Sequence, residues 1–281
     1  MKIKEVIELI KAYHYHEWMG KAITEELTRD QILFGDAEKE CTGIVTAIYA
    51  SADVIQKAGE LGANFIIVHE SLFWNHGDHT DWLIDNETYK RKKELLEKYD
   101  ITVWRNHDHM HAGMDVQGRR VDGIFYGLLY MMGWENYVQG DISFPIVLDI
   151  PEIPTKTLVK QLIDKMHLQV IKCIGNMSGN SRKIYLPHHI DGRDNDKINI
   201  LDKEHIDTVI AMECIDYTLA IYVKDSAMLK QEKRILAVGH FNLEEPGMRW
   251  FAEEYLPTIL PQELPIHFVG LEDMYSFVTK E

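Results

Sequence analysis

The sequence predicts an α/β protein, and three observations lead there. Short apolar, β-branched runs recur and stop abruptly at polar residues. Helical periodicity fills the intervals between them, and the first interval is short enough to make a strand, helix, strand unit. The clearest run is Asn64-Phe65-Ile66-Ile67-Val68-His69-Glu70. It reads as a strand buried on both faces, with two metal-capable side chains at its carboxyl end, where open α/β sheets place their ligands. The run at 101–104 leads into His107-Asp108-His109-Met110-His111, and the run at 235–238 leads into Gly239-His240, with Glu244 close behind.

Along the chain, Val6, Leu9, Ile10 and Tyr13 fall at i, i+3, i+4 and i+7, one face of an opening helix. After the turn-like Gly35-Asp36, residues 43–49 form a strand candidate, and Ser51 is placed as N-cap of a helix that turns Val54, Ala58 and Leu61 inward. Gly62 stops that helix and the strand to His69 follows. Such a βαβ unit implies parallel pairing and a right-handed crossover. A helix with Leu95, Leu96 and Tyr99 returns the chain to the strand before His107, and residues 121–134 read as a buried helix whose Met-rich face is core packing. Residues 145–154 combine a strand with a Pro-punctuated turn, and Thr155 is expected to cap a helix bearing Leu158, Leu162, Ile163 and Met166. A soft boundary near here divides a first α/β lobe, 1–140, from a second segment, 141–281. A strand at 182–187 and a charged loop at 191–197 precede a second βαβ-like unit: a strand ending at Glu213, a helix over 219–229, and the strand before His240. Pro246 is expected in the first turn of the last long helix, with Met248, Phe251, Ala252 and Tyr255 inward.

The chain has 281 residues, enough for one large domain or two intimately packed lobes. A formal charge of −15 argues against nucleic acid or anionic membrane as a partner, because neutralising phosphates needs clustered Lys and Arg. The stretch Met1-Lys2-Ile3-Lys4-Glu5-Val6 leads into an amphipathic pattern with no apolar h-region, and no later run has bilayer-spanning length, so a cytoplasmic location is expected. Cys41, Cys173 and Cys214 are odd in number and far apart, which indicates neither a disulfide framework nor a thiolate zinc site.

Metal sites need several ligands converging from a rigid scaffold, and imidazole with carboxylate suits zinc, manganese, iron or nickel. His240 and Glu244 form the cleanest pair, an imidazole at a strand end and a carboxylate at i+4; Glu245 is assigned instead to complementing a helix amino terminus. His69 and Glu70 sit where an apolar strand stops. A lone histidine there is more often a hydrogen-bonded core residue, but the recurrence of the pattern at other strand ends favours ligands. His107, His109 and His111 alternate, so on extended backbone they would share one face. Read alone, this triplet also has some likeness to the metal motifs of amidohydrolases and of metallo-β-lactamase-fold hydrolases, although the latter wants a further Asp-His that Met110-His111 does not supply.

Taken together in chain order, these segments resemble the Nif-three-like dinuclear metal-centre family, the GTP cyclohydrolase I type 2 homologues. The family's buried strand followed by His-His-Pro-Leu-x-Phe is similar to the strand ending in His69-Glu70-Ser71-Leu72-Phe73. Its His-Thr-x-x-Asp is matched by His107-Asp108-His109-Met110-His111, and its Gly-His-Tyr-x-x-Glu-x-x-Gly by Gly239-His240-Phe241-Asn242-Leu243-Glu244-Glu245-Pro246-Gly247. The strand ending at Glu213 resembles the family's strand ending in Gly-Glu, with Met212 in place of the Gly. The resemblance implies metal ligands at His69, Glu70, His111, His240 and Glu244, with Glu244 bridging two divalent ions and His107 beside them. Glu70 stands where the family has His and His111 where it has Asp; the exchange preserves ligand count and total charge. Asp108 is a competing ligand if the register of that loop shifts. The resemblance further implies two packed α/β lobes, with mixed, largely parallel sheets around a central metal cleft, and a homo-oligomer, a ring-shaped hexamer.

With two divalent ions of zinc, iron, manganese or nickel, such a site would make the chain a metal-dependent hydrolase that uses a metal-bridging water, with His107 as catalytic acid or base. The equally weighted role for His107 is orienting a ligand. The expected substrate is a small nucleotide-like or phosphorylated molecule. The alternative function is a non-catalytic metal-binding or regulatory adaptor, which would bind ions in closed coordination without turnover. A metallo-β-lactamase-type hydrolase would instead use His107, His109 and His111 together and tolerate loss of Glu244.

Overall fold

The computed structural model describes residues 1–75, 77–187, 189–271 and 274–278. The chain divides into two compact units, residues 1–127 with 247–274, and residues 128–246 with 275–278 of the described chain. Each is an α/β unit built on a five-stranded mixed sheet.

In chain order the first unit opens with α1 (Ile3–Ala12), the short hairpin β1 (Glu17–Trp18) and β2 (Lys21–Ala22), β3 (Ile32–Phe34), β4 (Ile44–Ala47), α2 (Ala52–Glu60) and β5 (Phe65–Val68). It continues through α3 (Glu87–Lys98), β6 (Thr102–Arg105), α4 (Asp108–Ala112), the hairpin β7 (Met114–Val116) and β8 (Arg119–Val121), and α5 (Gly123–Met132), within which the second unit begins. That unit holds β9 (Ile146–Pro154), α6 (Thr155–Met166), β10 (Lys172–Gly175), β11 (Asn180–Leu186), α7 (Asn195–Lys203), β12 (Thr208–Ala211), α8 (Leu219–Met228) and β13 (Arg234–Ala237). The chain re-enters the first unit within α9 (His240–Trp250), runs through a π-helical turn at Phe251–Tyr255 and α10 (Leu256–Ile259), and ends that unit's sheet with β14 (Ile266–Phe268).

The first sheet has the order β14-β4-β5-β6-β3, parallel except for the β3–β6 edge. Every residue of β4, β5 and β6 is buried, the pattern of parallel strands covered on both faces. Ser51 caps α2 as expected, accepting the Val54 N–H, so that Val54, Ile55 and Ala58 pack against Val45, Ile66 and Val68. Burying each Val or Ile side chain contributes about 1.5–3 kcal/mol. The second sheet has the order β10-β13-β12-β11-β9, with a parallel centre and antiparallel edges. Its core joins Tyr185, Leu201, Val209, Val223 and Ile235. Among the described residues no helix is long and apolar enough to cross a membrane.

Three local expectations are corrected. Thr155 is the first residue of α6 and not its cap; its hydroxyl instead meets Ser181 Oγ at 3.0 Å. The histidine triplet is not extended: residues 108–112 form the helical turn α4, so His107 and His111 lie one turn apart and His109 points elsewhere. Pro246 does not start a helix but lies inside α9, which begins at His240. The Pro costs one intrahelical bond, and the helix already formed before it sets His240 and Glu244 at i and i+4 on one face. Gly247, the last position of the third motif, abuts the Ile124 backbone so closely that a Cβ there would collide with it.

Candidate functional site

In the first unit, β5 and β6 end side by side. His69 follows β5, fully buried, while His107 and His111 follow β6 on α4. One ligand-capable atom from each of the three lies within 4.8 Å of the others. The His69 and His107 rings stack at 4.3 Å and 15°, and the His111 ring stands edge-on to both, at 4.9 and 4.8 Å.

Each ring is held from behind. His69 Nδ1 donates to the Asn106 carbonyl at 3.4 Å, His107 Nδ1 to Asp108 Oδ1 at 2.9 Å and His111 Nδ1 to Asp122 Oδ2 at 2.8 Å. A carbonyl and ionised carboxylates can only accept, so the proton of each neutral ring sits on Nδ1 and its lone pair on Nε2. This arrangement of outer acceptors is the one that metal-binding imidazoles use. The residues therefore fit a divalent ion. Burial, reinforced by the neighbouring His107 and His111, pushes the His69 pKa well below its ordinary value and keeps that ring neutral. Trp18 lies flat on His111 at 5.1 Å, Phe125 stacks near it at 5.8 Å, and the Arg29 guanidinium sits 5.2 Å from the Trp18 ring centre.

The position of α4 is set by distant chain. Asp30, fully buried, accepts the backbone N–H groups of His107, Asp108 and His109 at 2.5, 2.8 and 2.9 Å, and the His109 ring at 2.5 Å. His109 Nε2 lies 3.3 Å from His16 Nδ1, so this imidazole belongs to the Asp30 network and is absent from the three-histidine group. Asp108 accepts from Thr28 Oγ1, from the Arg29 N–H and Nε, and from His107 Nδ1, so both of its oxygens are engaged. Glu70 follows His69 at the same strand end, half-buried, with its N–H on the Ile48 carbonyl at 3.0 Å.

In the second unit, β12 and β13 likewise end side by side, with Glu213 beyond one and His240 beyond the other. His240 Nδ1 donates to Glu213 Oε2 at 3.1 Å, and His240 Nε2 lies 3.3 Å from Glu244 Oε2. His189 Nδ1 donates to the other Glu213 oxygen, and His189, Glu213 and His240 form a second group able to hold an ion. Burial works to raise the Glu213 pKa, but the hydrogen bonds from His189 and His240 outweigh it and hold the carboxyl at about 2. The same bond to Glu213 raises the His189 pKa.

Asp30, Asp122 and His189 were not singled out by sequence reasoning. Asp122 carried a signal, since it directly precedes α5 and its Oδ1 accepts the Ile124 and Phe125 N–H groups as a helix cap would. Asp30 and His189 act from 77 and 24 residues away and had none.

The fold and these residues define an α/β protein with histidine and carboxylate groups gathered at the carboxyl ends of parallel strands. The chain belongs to the Duf34/NIF3 (NGG1p interacting factor 3) family, whose model matches residues 1–272. A Clostridium perfringens protein described as a GTP cyclohydrolase 1 type 2 homolog is 22% identical over 252 residues, which cover 88% of each chain. The crystal structure of a Staphylococcus aureus hypothetical protein is similar with a TM-score of 0.70 and 15% identity, covering 99% of both chains. That of a Bacillus cereus protein related to NIF3 gives 0.68 and 13%, again over 99% of both. At these identities the solved structures establish the fold.

Proposed function

We propose that the chain is a dinuclear metal-dependent hydrolase acting on a small nucleotide-like or phosphorylated substrate. His69, Glu70 and His111 of the first unit and His240 and Glu244 of the second serve as metal ligands. The observation that carries the reading is the convergence of the His69 and His111 imidazoles, each fixed through Nδ1 by its own acceptor, with His107 held by Asp108 beside them. Glu70 for His and His111 for Asp keep the same number of ligands and the same charge as the family pattern. Zinc, iron, manganese or nickel suits such a mixed imidazole and carboxylate set. Bound divalent ions supply Lewis-acid polarisation of the scissile bond and acidify water.

The protein's own residues divide the remaining work. His107, oriented by Asp108 as Asp orients the histidine of a catalytic triad, holds and returns a proton through Nε2. Trp18 and Phe125 flank His111 with apolar surface that keeps water from its ring. A homohexameric assembly belongs to the same proposal, and sedimentation would test it.

Elemental analysis of purified protein tests the metal reading. Wild type is expected to carry about two transition-metal equivalents per chain, and His111→Ala or Glu244→Ala to lose or halve them. Asp122→Asn, which leaves His111 without its carboxylate, should weaken metal binding about 10- to 100-fold. Metal-loaded protein should hydrolyse a member of a phosphorylated and heterocyclic substrate panel, and chelation should abolish the activity. No metal after reconstitution with all four ions would overturn the proposal; ions bound without turnover would leave the regulatory adaptor.

A further inference from the structure

We infer that Glu213 is the positioning carboxylate of His240, and that His189 locks Glu213 in that role. The inference rests on the proposed metal-binding function. Four observations in the second unit carry it.

Glu213 stands just beyond the end of β12 and His240 just beyond the end of the neighbouring parallel strand β13, so the sheet itself brings the two together. His240 gives its Nδ1 proton to Glu213 Oε2 at 3.1 Å, which turns Nε2 away from that carboxylate and toward Glu244 Oε2 at 3.3 Å. Glu213 is in turn gripped on its other oxygen by His189 Nδ1. The loop carrying His189 is fixed to the strand end by a parallel bridge between Ile190 and Cys214, the residue after Glu213.

The chemistry follows from the order of these contacts. Glu213 fixes the His240 tautomer with its lone pair on Nε2, restricts rotation of the ring, and strengthens the ring as a donor to a divalent cation. A carboxylate held by one imidazole alone could swing about its own side-chain torsions. Held by two, on separate oxygens, it has one orientation. The His189 and His240 rings are 5.2 Å apart and tilted by 34°, as two imidazoles on one carboxylate would be. His189 therefore contributes through Glu213 and is a positioning residue at one remove from the cation.

The test titrates metal-free wild type, Glu213→Gln, His189→Gln and His240→Ala with cobalt(II) against a chromophoric chelator, recording the d–d spectrum of the bound ion. Glu213→Gln should weaken one of the bound ions about 10- to 100-fold and alter its spectrum, with the other ion unaffected. His189→Gln should move the same ion in the same direction by a smaller factor. Both side chains are partly exposed, so melting temperatures near wild type are expected. If Glu213→Gln fails to fold, His189→Gln carries the test. Wild-type affinity and spectrum in the folded variants, with an ion lost from His240→Ala, would overturn the inference and leave the proposed function standing. A wild type that takes up no cobalt would overturn both.

Discussion

Asp30→Ala should lower the melting temperature by about 10 °C and remove metal from the first unit. The carboxylate of Asp30 is fully buried and accepts four hydrogen bonds, three from successive backbone N–H groups at the start of α4 and one from the His109 ring. Those N–H groups have no earlier helical turn to receive them, and water does not reach them at this depth. Bonds to a charged acceptor are worth about 1.5–3 kcal/mol each, and they are not additive when they share one carboxylate; a total of about 3–5 kcal/mol is a reasonable expectation. At about 2–4 °C per kcal/mol for chains of roughly this size, the melting shift follows. Asn at the same position keeps one acceptor oxygen and should recover part of the loss. The second consequence is specific to the site. His107 and His111 ride on α4, so loosening the turn separates two of the three imidazoles. Thermal denaturation and metal content measured on the same preparations check both effects. An unchanged melting temperature would show that α4 stands without its distant cap, and a lower melting temperature with full metal content would separate the cap from the site.

The same contacts explain how far the sequence could be read. Phe65 to Val68 is a continuous apolar run because β5 is covered on both faces, and its abrupt end at His69 marks the sheet edge where ligands collect. That is local information, and so is the spacing of His240 and Glu244. The conformation of residues 107–111 was not local. Alternating histidines suit a strand, and the segment is helical because Asp30 satisfies its first N–H groups from another part of the fold. The grouping of His189 with Glu213 was equally hidden, since it depends on a single bridge between Ile190 and Cys214 and on the order of strands in the second sheet. The outer acceptors Asp108 and Asp122 lie 1 and 11 residues from the histidines they hold, yet only the backbone path shows which oxygen faces which ring.

Lys92→Met should stabilise the protein at pH 7 by about 1–3 kcal/mol, and the gain should shrink as pH rises toward 10.5. Lys92 lies on α3 with its side chain buried, its ammonium donating to the Leu72 carbonyl at 2.7 Å and to Tyr49 Oη at 3.2 Å. Burial drives its pKa from 10.5 down to about 7. Between pH 7 and 10.5 the unfolded chain therefore binds a proton that the folded chain does not. Folded stability consequently rises with pH across that window, and below it the full cost of keeping the ammonium out of water remains. The rings of Tyr49, Phe73 and Trp74, at 4.5, 5.5 and 5.6 Å from the nitrogen, return part of that cost through cation–π attraction, which is why the expected gain is only a few kcal/mol. Methionine fits the aromatic surroundings, and the Leu72 carbonyl keeps the Tyr49 hydroxyl as its donor at 2.8 Å. Urea unfolding of both proteins at pH 7, 8.5 and 10 reads the effect directly. Equal pH slopes for wild type and variant would mean that Lys92 keeps its charge in the folded protein and that the rings and the two oxygens fully offset its burial.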